Sequence, residues 1–338
     1  MQETFIVGYT WKVGIRGFML IRTIIVSLFA LNAVVVSPVF ALEEAKLHIS
    51  GGGSPNELIF RAGQHEGFYK EEGIELVPIV AGMLPGIQAL IAGAMDFSQI
   101  GGQGAGAILR GAPLKLVMVF DTRPANWLVG CKNIQKLEDL KGKKQVGVSS
   151  FGAALDQMTR EILPKHGLDP QRDVILRSIT RSADRLPALL TGSVDAAVLS
   201  ATDTIKAKEQ GCHELLFYGD ELEFISGGVV VNNETLAKRH DFVRRFLRAT
   251  LKSFQWFKTN VKGATALMRE YGKLSAADAV TVHKMVVPIY SRDGTIPRSF
   301  QERMIAMQTA NLKIEKKITP EMVYDFSIVD SLNHELKK

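Results

Sequence analysis

The sequence predicts an α/β protein of two doubly wound lobes, joined by two hinge crossings and facing each other across a cleft. Three observations lead there. A nine-residue unit occurs twice, each copy sits in the same alternation of strand-like and helix-like segments, and an apolar strand pattern returns after the second copy, ahead of a run of helices. At 338 residues, 46% of them hydrophobic, the chain is long enough to bury two cores.

The repeated unit is Ala89-Leu90-Ile91-Ala92-Gly93-Ala94-Met95-Asp96-Phe97, matched by Ala188-Leu189-Leu190-Thr191-Gly192-Ser193-Val194-Asp195-Ala196. In both copies an apolar helix stops at a glycine suited to the left-handed position past a helix end, and a short strand follows. The aspartate is placed to bond the turn or to start the strand. Ahead of the first copy the pattern gives a strand over 47–50, a helix over 56–70 and a strand over 73–79. Ahead of the second it gives a strand over 144–148, a helix over 153–166 and a strand over 174–179. Strands alternating with helical stretches of this length make parallel sheets covered on both faces. The buried-looking strand Val229-Val230-Val231 then resumes the first lobe. The expected division is a leader over 1–41, first lobe over 46–129, second lobe over 130–218, and completion of the first lobe with C-terminal helices over 219–338. The crossings fall near 128–132 and 216–223.

The leader has the three parts of a secretory signal. After Arg22 comes a long apolar stretch, then Ser37-Pro38-Val39-Phe40-Ala41, a small-x-small ending that places cleavage after Ala41 and the protein in the periplasm. Lys12 and Arg16 sit unusually far upstream, so Met19 is the expected start. An uncleaved membrane anchor is the alternative, although the apolar run is short for a bilayer. No cysteine lies near the cleavage site to carry a lipid. The net charge of +6 falls to a mildly basic +4 once Lys12, Arg16, Arg22 and Glu3 leave with the leader. The richest basic stretch, Lys238-Arg239-His240 with Arg244, Arg245 and Arg248, is interleaved with Phe242, Phe246, Leu247 and Leu251 at helical spacing. That reads as a core-facing stripe with charges opposite, not as a nucleic-acid surface. Cys131 and Cys212 are compatible with a disulfide in an oxidising compartment, but the reading favours two buried free thiols.

Two segments carry a family resemblance. His65-Glu66-Gly67-Phe68-Tyr69-Lys70-Glu71-Glu72-Gly73-Ile74-Glu75-Leu76 resembles the helix-to-strand segment of the periplasmic binding proteins for nitrate, sulfonates, taurine and thiamine-pyrimidine precursors, the NMT1-like family. Leu137-Glu138-Asp139-Leu140-Lys141-Gly142-Lys143-Lys144 resembles the opening of that family's second lobe. With the duplicated unit, the resemblance covers residues 46–338. It implies a type II periplasmic binding fold and delivery of a small molecule to the membrane permease of an ABC transporter, by a monomer.

Physical placement of a site runs parallel to that resemblance. In open α/β sheets ligands collect beyond the carboxyl ends of the strands, where helix N-termini present unpaired N–H groups. Four loops qualify. Gly51-Gly52-Gly53-Ser54-Pro55 and Ile100-Gly101-Gly102-Gln103-Gly104 belong to the first lobe, Ser149-Ser150-Phe151-Gly152 and Ser200-Ala201-Thr202-Asp203 to the second. The expected ligand residues are Gly53, Ser54, Gly101, Gly102, Gln103, Ser150, Phe151, Ser200 and Thr202, with Gly227 and Gly228 where the return strand begins. Ser54, Ser150 and Thr202 equally suit helix caps, and Phe151 either stacks on a ligand or staples a helix. Such loops suit a polar or anionic head group bound by neutral donors: a sulfonate, a carboxylate or a pyrimidine-like ring. Arg123 and Arg181 are further sources of positive charge. Small residues in the Ser200-to-Asp203 loop depart from the family's oxyanion binders and leave room for a bulkier ligand.

Catalysis is not the expectation. The histidines at 48, 65, 166, 213, 240, 283 and 334 stand singly, and His65-Glu66 has no second histidine at zinc-binding spacing. Neither a P-loop nor a G-x-S-x-G elbow occurs, so no cofactor or metal is called for. The pyrimidine-synthase branch of this fold carries a Cys-rich segment that this sequence lacks. A ligand-sensing module for a membrane receptor is the other alternative, without any helix-turn-helix segment to support a fused regulator.

Overall fold

The structure is a computed structural model that describes residues 41–51, 53–152 and 154–336. The expected export leader over 1–41, with its start at Met19, lies outside the described residues up to Phe40.

The first lobe starts with β1 (Glu43–Ile49), α1 (Pro55–His65), β2 (Ile74–Val80), α2 (Met83–Ile91), β3 (Phe97–Ser98), α3 (Gly101–Leu109) and β4 (Leu114–Val119). The second contains β5 (Asn126–Gly130), β6 (Lys144–Val148), α4 (Ala154–Lys165), β7 (Val174–Ser178), α5 (Ser182–Thr191), β8 (Ala196–Ser200), α6 (Ala201–Glu209) and β9 (His213–Phe217). β10 (Gly228–Asn232) then returns to the first sheet. Helices α7 (His240–Thr259), α8 (Val261–Gly272), α9 (Ala276–Val286), α10 (Arg298–Leu312) and α11 (Ser327–Leu336) follow.

Both sheets have five strands in corresponding order, β2-β1-β3-β10-β4 and β7-β6-β8-β5-β9. In each, the first three strands run parallel and the fourth place is held by an antiparallel strand that has just arrived from the other lobe. The first crossing is therefore earlier than expected. β5 pairs with β8 and β9 in the second sheet, so the chain changes lobe over 120–125 and not at 128–132. The second crossing runs over 222–227, because β9 and the short helix Tyr218–Glu221 still pack on the second lobe, where the Thr159 and Tyr218 hydroxyls meet at 2.7 Å.

The aspartate of the duplicated unit does the same work twice. Asp96 Oδ2 accepts from the Lys46 N–H at 2.9 Å, and Asp195 Oδ2 from the Gln145 N–H at 2.8 Å, each partner 50 residues upstream. Each carboxylate thus ties its own turn to the neighbouring parallel strand. Gly93 and Gly192 adopt the left-handed conformation, φ +72° and +81°, that ends the preceding helix. The helix expected over 56–70 breaks at Gly67, also left-handed, into α1 and the short helix Phe68–Glu71.

Helix α7 closes the first core. Phe242, Phe246, Phe254 and Phe257 are buried along one stripe, and Phe246 stacks on Phe97 with ring centroids 3.6 Å apart. Each such ring contributes roughly 2–3 kcal/mol by leaving water. The basic residues beside the stripe are paired: Arg239 with Glu43 and Asp96, Arg245 with Glu43 and Asp241, Arg248 with Glu72 and Glu335. They pin α7 to the start of the first sheet.

Cys131 and Cys212 are joined in a disulfide, with Cα atoms 4.3 Å apart, and are not the free thiols expected. The register explains it. β5 pairs Gly130 with His213, which places the next residue of one strand beside the preceding residue of the other.

Candidate functional site

A cavity of about 220 Å³ opens where the two crossings meet the starts of α1 and α6. Ser54 stands at the first helix start as its N-cap, its Oγ accepting from the Glu57 N–H at 3.4 Å. Ser200 caps α6, accepting from the Asp203 N–H at 3.2 Å and donating to the Asp203 carboxylate at 3.0 Å. Both serines therefore combine capping with a place on the cavity wall, and Thr202 joins them there. One helix start comes from each lobe, so two dipole ends face one space.

The floor is the hinge. Asp121, 3% exposed, accepts from Asn56 Nδ2 at 2.7 Å and from the backbone N–H groups of Ser226 and Gly227 at 2.5 and 3.1 Å. One carboxylate thereby links the first crossing, the second crossing and α1. Burial pushes its pKa up to about 6, against the lowering effect of those donors. The wall opposite is Val286, Ile289 and Tyr290, carried by the end of α9 and the segment after it, and α9 packs against both α8 and α6. The Tyr290 hydroxyl has no hydrogen-bond partner although the residue is only 9% exposed. Burial and the neighbouring Asp121 charge raise its pKa, which keeps it a neutral O–H.

A second cavity of about 260 Å³ shares Ser54, Asn56 and Ser226 with the first and adds Gln99, Gln103 and Gly227. A third, of about 140 Å³, shares Gln103 with the second and lies between Gly102 on α3 and Gly152 and Gln157 by α4. The three form one interlobe groove.

Of the residues singled out in the sequence, Ser54, Gly102, Gln103, Ser200, Thr202 and Gly227 border this groove. The others are placed differently. Gly53 donates its N–H to Glu57 at 3.1 Å and shapes the loop. Gly101 and Gly228 allow backbone to pack closely: a Cβ on Gly101 would lie 2.9 Å from the Gly227 carbonyl carbon, and one on Gly228 2.3 Å from the Met118 carbonyl oxygen. Ser150 donates to Thr180 Oγ1 at 3.1 Å, and Phe151 is 60% exposed with the Arg160 guanidinium 5.9 Å from its ring centre; neither borders the three cavities. Arg123 is engaged by Asp220 and the Pro288 carbonyl, and Arg181 by both oxygens of Asp184. Asn56, Asp121, Asn126 and Tyr290 were missed. Asp121 had a signal: it is the first charge after the apolar run Val117-Met118-Val119-Phe120.

The groove is thus lined by hydroxyls, amides and apolar carbon, with Asp121 the one charged lining residue among the described residues. No group of three His, Cys, Asp or Glu able to hold a metal occurs among the described residues. No helix among them is long and apolar enough to cross a membrane.

Two sheets of corresponding order, bridged twice over a groove, define a periplasmic-binding-protein fold, and solved structures share it. A periplasmic sulfonate-binding protein SsuA from Methylobacillus flagellatus KT superimposes with a TM-score of 0.70 at 17% identity, over 88% of this chain and 96% of that one. The periplasmic aliphatic sulphonate binding protein SsuA from Escherichia coli gives 0.67 at 19% identity, over 84% and 92%. The desulfurization enzyme DSZB gives 0.65 at 14% identity, over 87% and 99%. No curated protein matches the sequence. The chain belongs to the NMT1/THI5 like family, whose sequence model matches residues 54–264.

Proposed function

We propose that this protein is the extracytoplasmic solute-binding component of an ABC-type uptake system, which holds a small polar organic molecule between its lobes and delivers it to a membrane permease. The observation that carries this reading is the composition of the first cavity: one helix start from each lobe, with the floor made by the two crossings themselves. A molecule seated there contacts both lobes and the hinge at once. Its binding energy therefore favours the closed arrangement over the open one, and a permease can read that difference. The sulfonate-binding proteins of the same fold and the signal-like leader agree with transport.

Binding without chemical change fits the groove better than catalysis. Both cysteines are committed to the disulfide, which removes a thiol nucleophile, and both oxygens of Asp121 already accept N–H groups. The shared fold of DSZB makes catalysis the second reading.

The test is a thermal-shift screen of sulfonates, carboxylates, ureides and carboxamides, followed by small-angle scattering with each hit. A ligand that raises the melting temperature should also reduce the radius of gyration and be recovered intact. A hit recovered as a different compound would favour the enzyme.

A further inference from the structure

The duplication extends into the groove. The loop before α1 is held by Glu57, which accepts from the Gly53 N–H and from Arg61; the loop before α4 is held by Asp156, which accepts from the Gly152 N–H and from Arg160. The starts of α1 and α4 are therefore counterparts. So are the starts of α3 and α6, which follow the strands after the two copies of the repeat. The first cavity joins α1 to α6, and the third joins α3 to α4. Each is the other with the lobes exchanged, and the second cavity connects them through Ser54 and Gln103.

The two half-sites differ in side chains. The first offers hydroxyls, Asn56 and Asn126. The far one offers the amides Gln103, Gln157, Gln308 and Asn311 against Phe224 and Met307. Three buried polar atoms along the groove have no partner: Tyr290 OH in the first half-site, Gln99 Oε1 in the connection, where the residue is 5% exposed, and Gln308 Oε1 in the far half-site. Buried polar atoms of this kind call for a hydrogen-bonding partner. Among the described residues no lysine or arginine borders the groove, and the one charged residue that does is a carboxylate.

Resting on the solute-binding reading, we infer that the groove takes an elongated, uncharged ligand with a hydrogen-bonding amide-like group at each end, one end per half-site. An amide suits both: its carbonyl oxygen accepts from helix-start N–H groups or the Tyr290 hydroxyl, and its N–H donates to the Gln99 and Gln308 oxygens. A full anion would meet Asp121 with no cation to offset it.

Isothermal titration calorimetry with malonamide, succinamide and adipamide tests this, against the dicarboxylates of equal length and against hexanamide and hexanesulfonate. The diamides should bind, adipamide at least about tenfold more tightly than malonamide and than one-ended hexanamide. Gln308→Leu, nearly equal in volume, should remove the advantage of adipamide over hexanamide. Failure of every diamide to bind, tighter binding of the matched dicarboxylate or of hexanesulfonate, or an adipamide affinity indifferent to Gln308→Leu would each overturn the inference. If an anion binds and compacts the protein instead, the solute-binding reading stands and only the ligand class falls.

Discussion

Asp121 joins the two crossings through a carboxylate that burial makes costly to ionise. A free aspartate titrates near 4, and this one near 6. Between those values the native protein keeps a proton that the unfolded chain has released, so this residue's contribution to stability falls as pH rises from about 4 to about 6 and stays lower above. The difference corresponds to roughly 3 kcal/mol. In Asp121→Asn the amide oxygen still accepts from Ser226 and Gly227, and Asn56 keeps its bond by turning its own amide over. Urea denaturation of both proteins at pH 4 and pH 7 should show the stability of wild type relative to variant dropping on the order of 3 kcal/mol across that interval. A constant difference would mean that Asp121 titrates as an ordinary exposed carboxylate.

The turn that carries Asp96 and Asp195 builds each sheet at the same point, so its removal should cost each lobe a similar amount. A carboxylate accepting a backbone N–H contributes about 1.5–3 kcal/mol. Asp195→Ala should lose about 2 kcal/mol in chemical denaturation, and Asp195→Asn should recover part, since an amide oxygen can still accept from Gln145. Asp96→Ala should lose somewhat more, because its pair with Arg239, at 2.5 Å, is closer than that of Asp195 with Lys144, at 3.7 Å. The helix end and left-handed glycine of this unit were legible in the sequence because they are local, whereas the aspartate's bond to a strand 50 residues upstream was not. Nor was sheet membership. Alternation marks β5 as a strand but says nothing of which sheet it joins, and its antiparallel place beside β8 misled the reading by one whole strand. The groove divides the same way. Loops at strand ends could be located from the chain, whereas Asn56, Asp121 and Tyr290 meet only through the hinge, between segments far apart in sequence. Ser150 and Phe151 lie in a loop whose Gly152 borders the groove, but their own side chains do not.

At the scale of the molecule the two lobes are joined by the main chain of the hinge and not cross-linked by the disulfide, both ends of which lie beside paired strands of the second sheet. Cys131 follows β5, and Cys212 precedes β9. Closing a loop between residues 81 apart in sequence removes unfolded-chain entropy worth about 4–5 kcal/mol, of which real bridges commonly deliver about 2–4. That stabilisation should be confined to one lobe. β9 is an edge strand held to the sheet by β5 alone, so without the bridge its ladder is the first to open. Hydrogen–deuterium exchange of a Cys131→Ser, Cys212→Ser double variant should therefore show lost protection over His213–Phe217 and Asn126–Gly130. Protection over Glu43–Ile49 and Leu114–Val119 should stay as in wild type. Equal loss in both lobes would mean that they unfold as one cooperative unit, with the hinge hydrogen bonds of Asp121 strong enough to couple them. Loss confined to the second lobe would make each half of the duplication an independently stable body, which is what a protein that works by moving one lobe against the other requires.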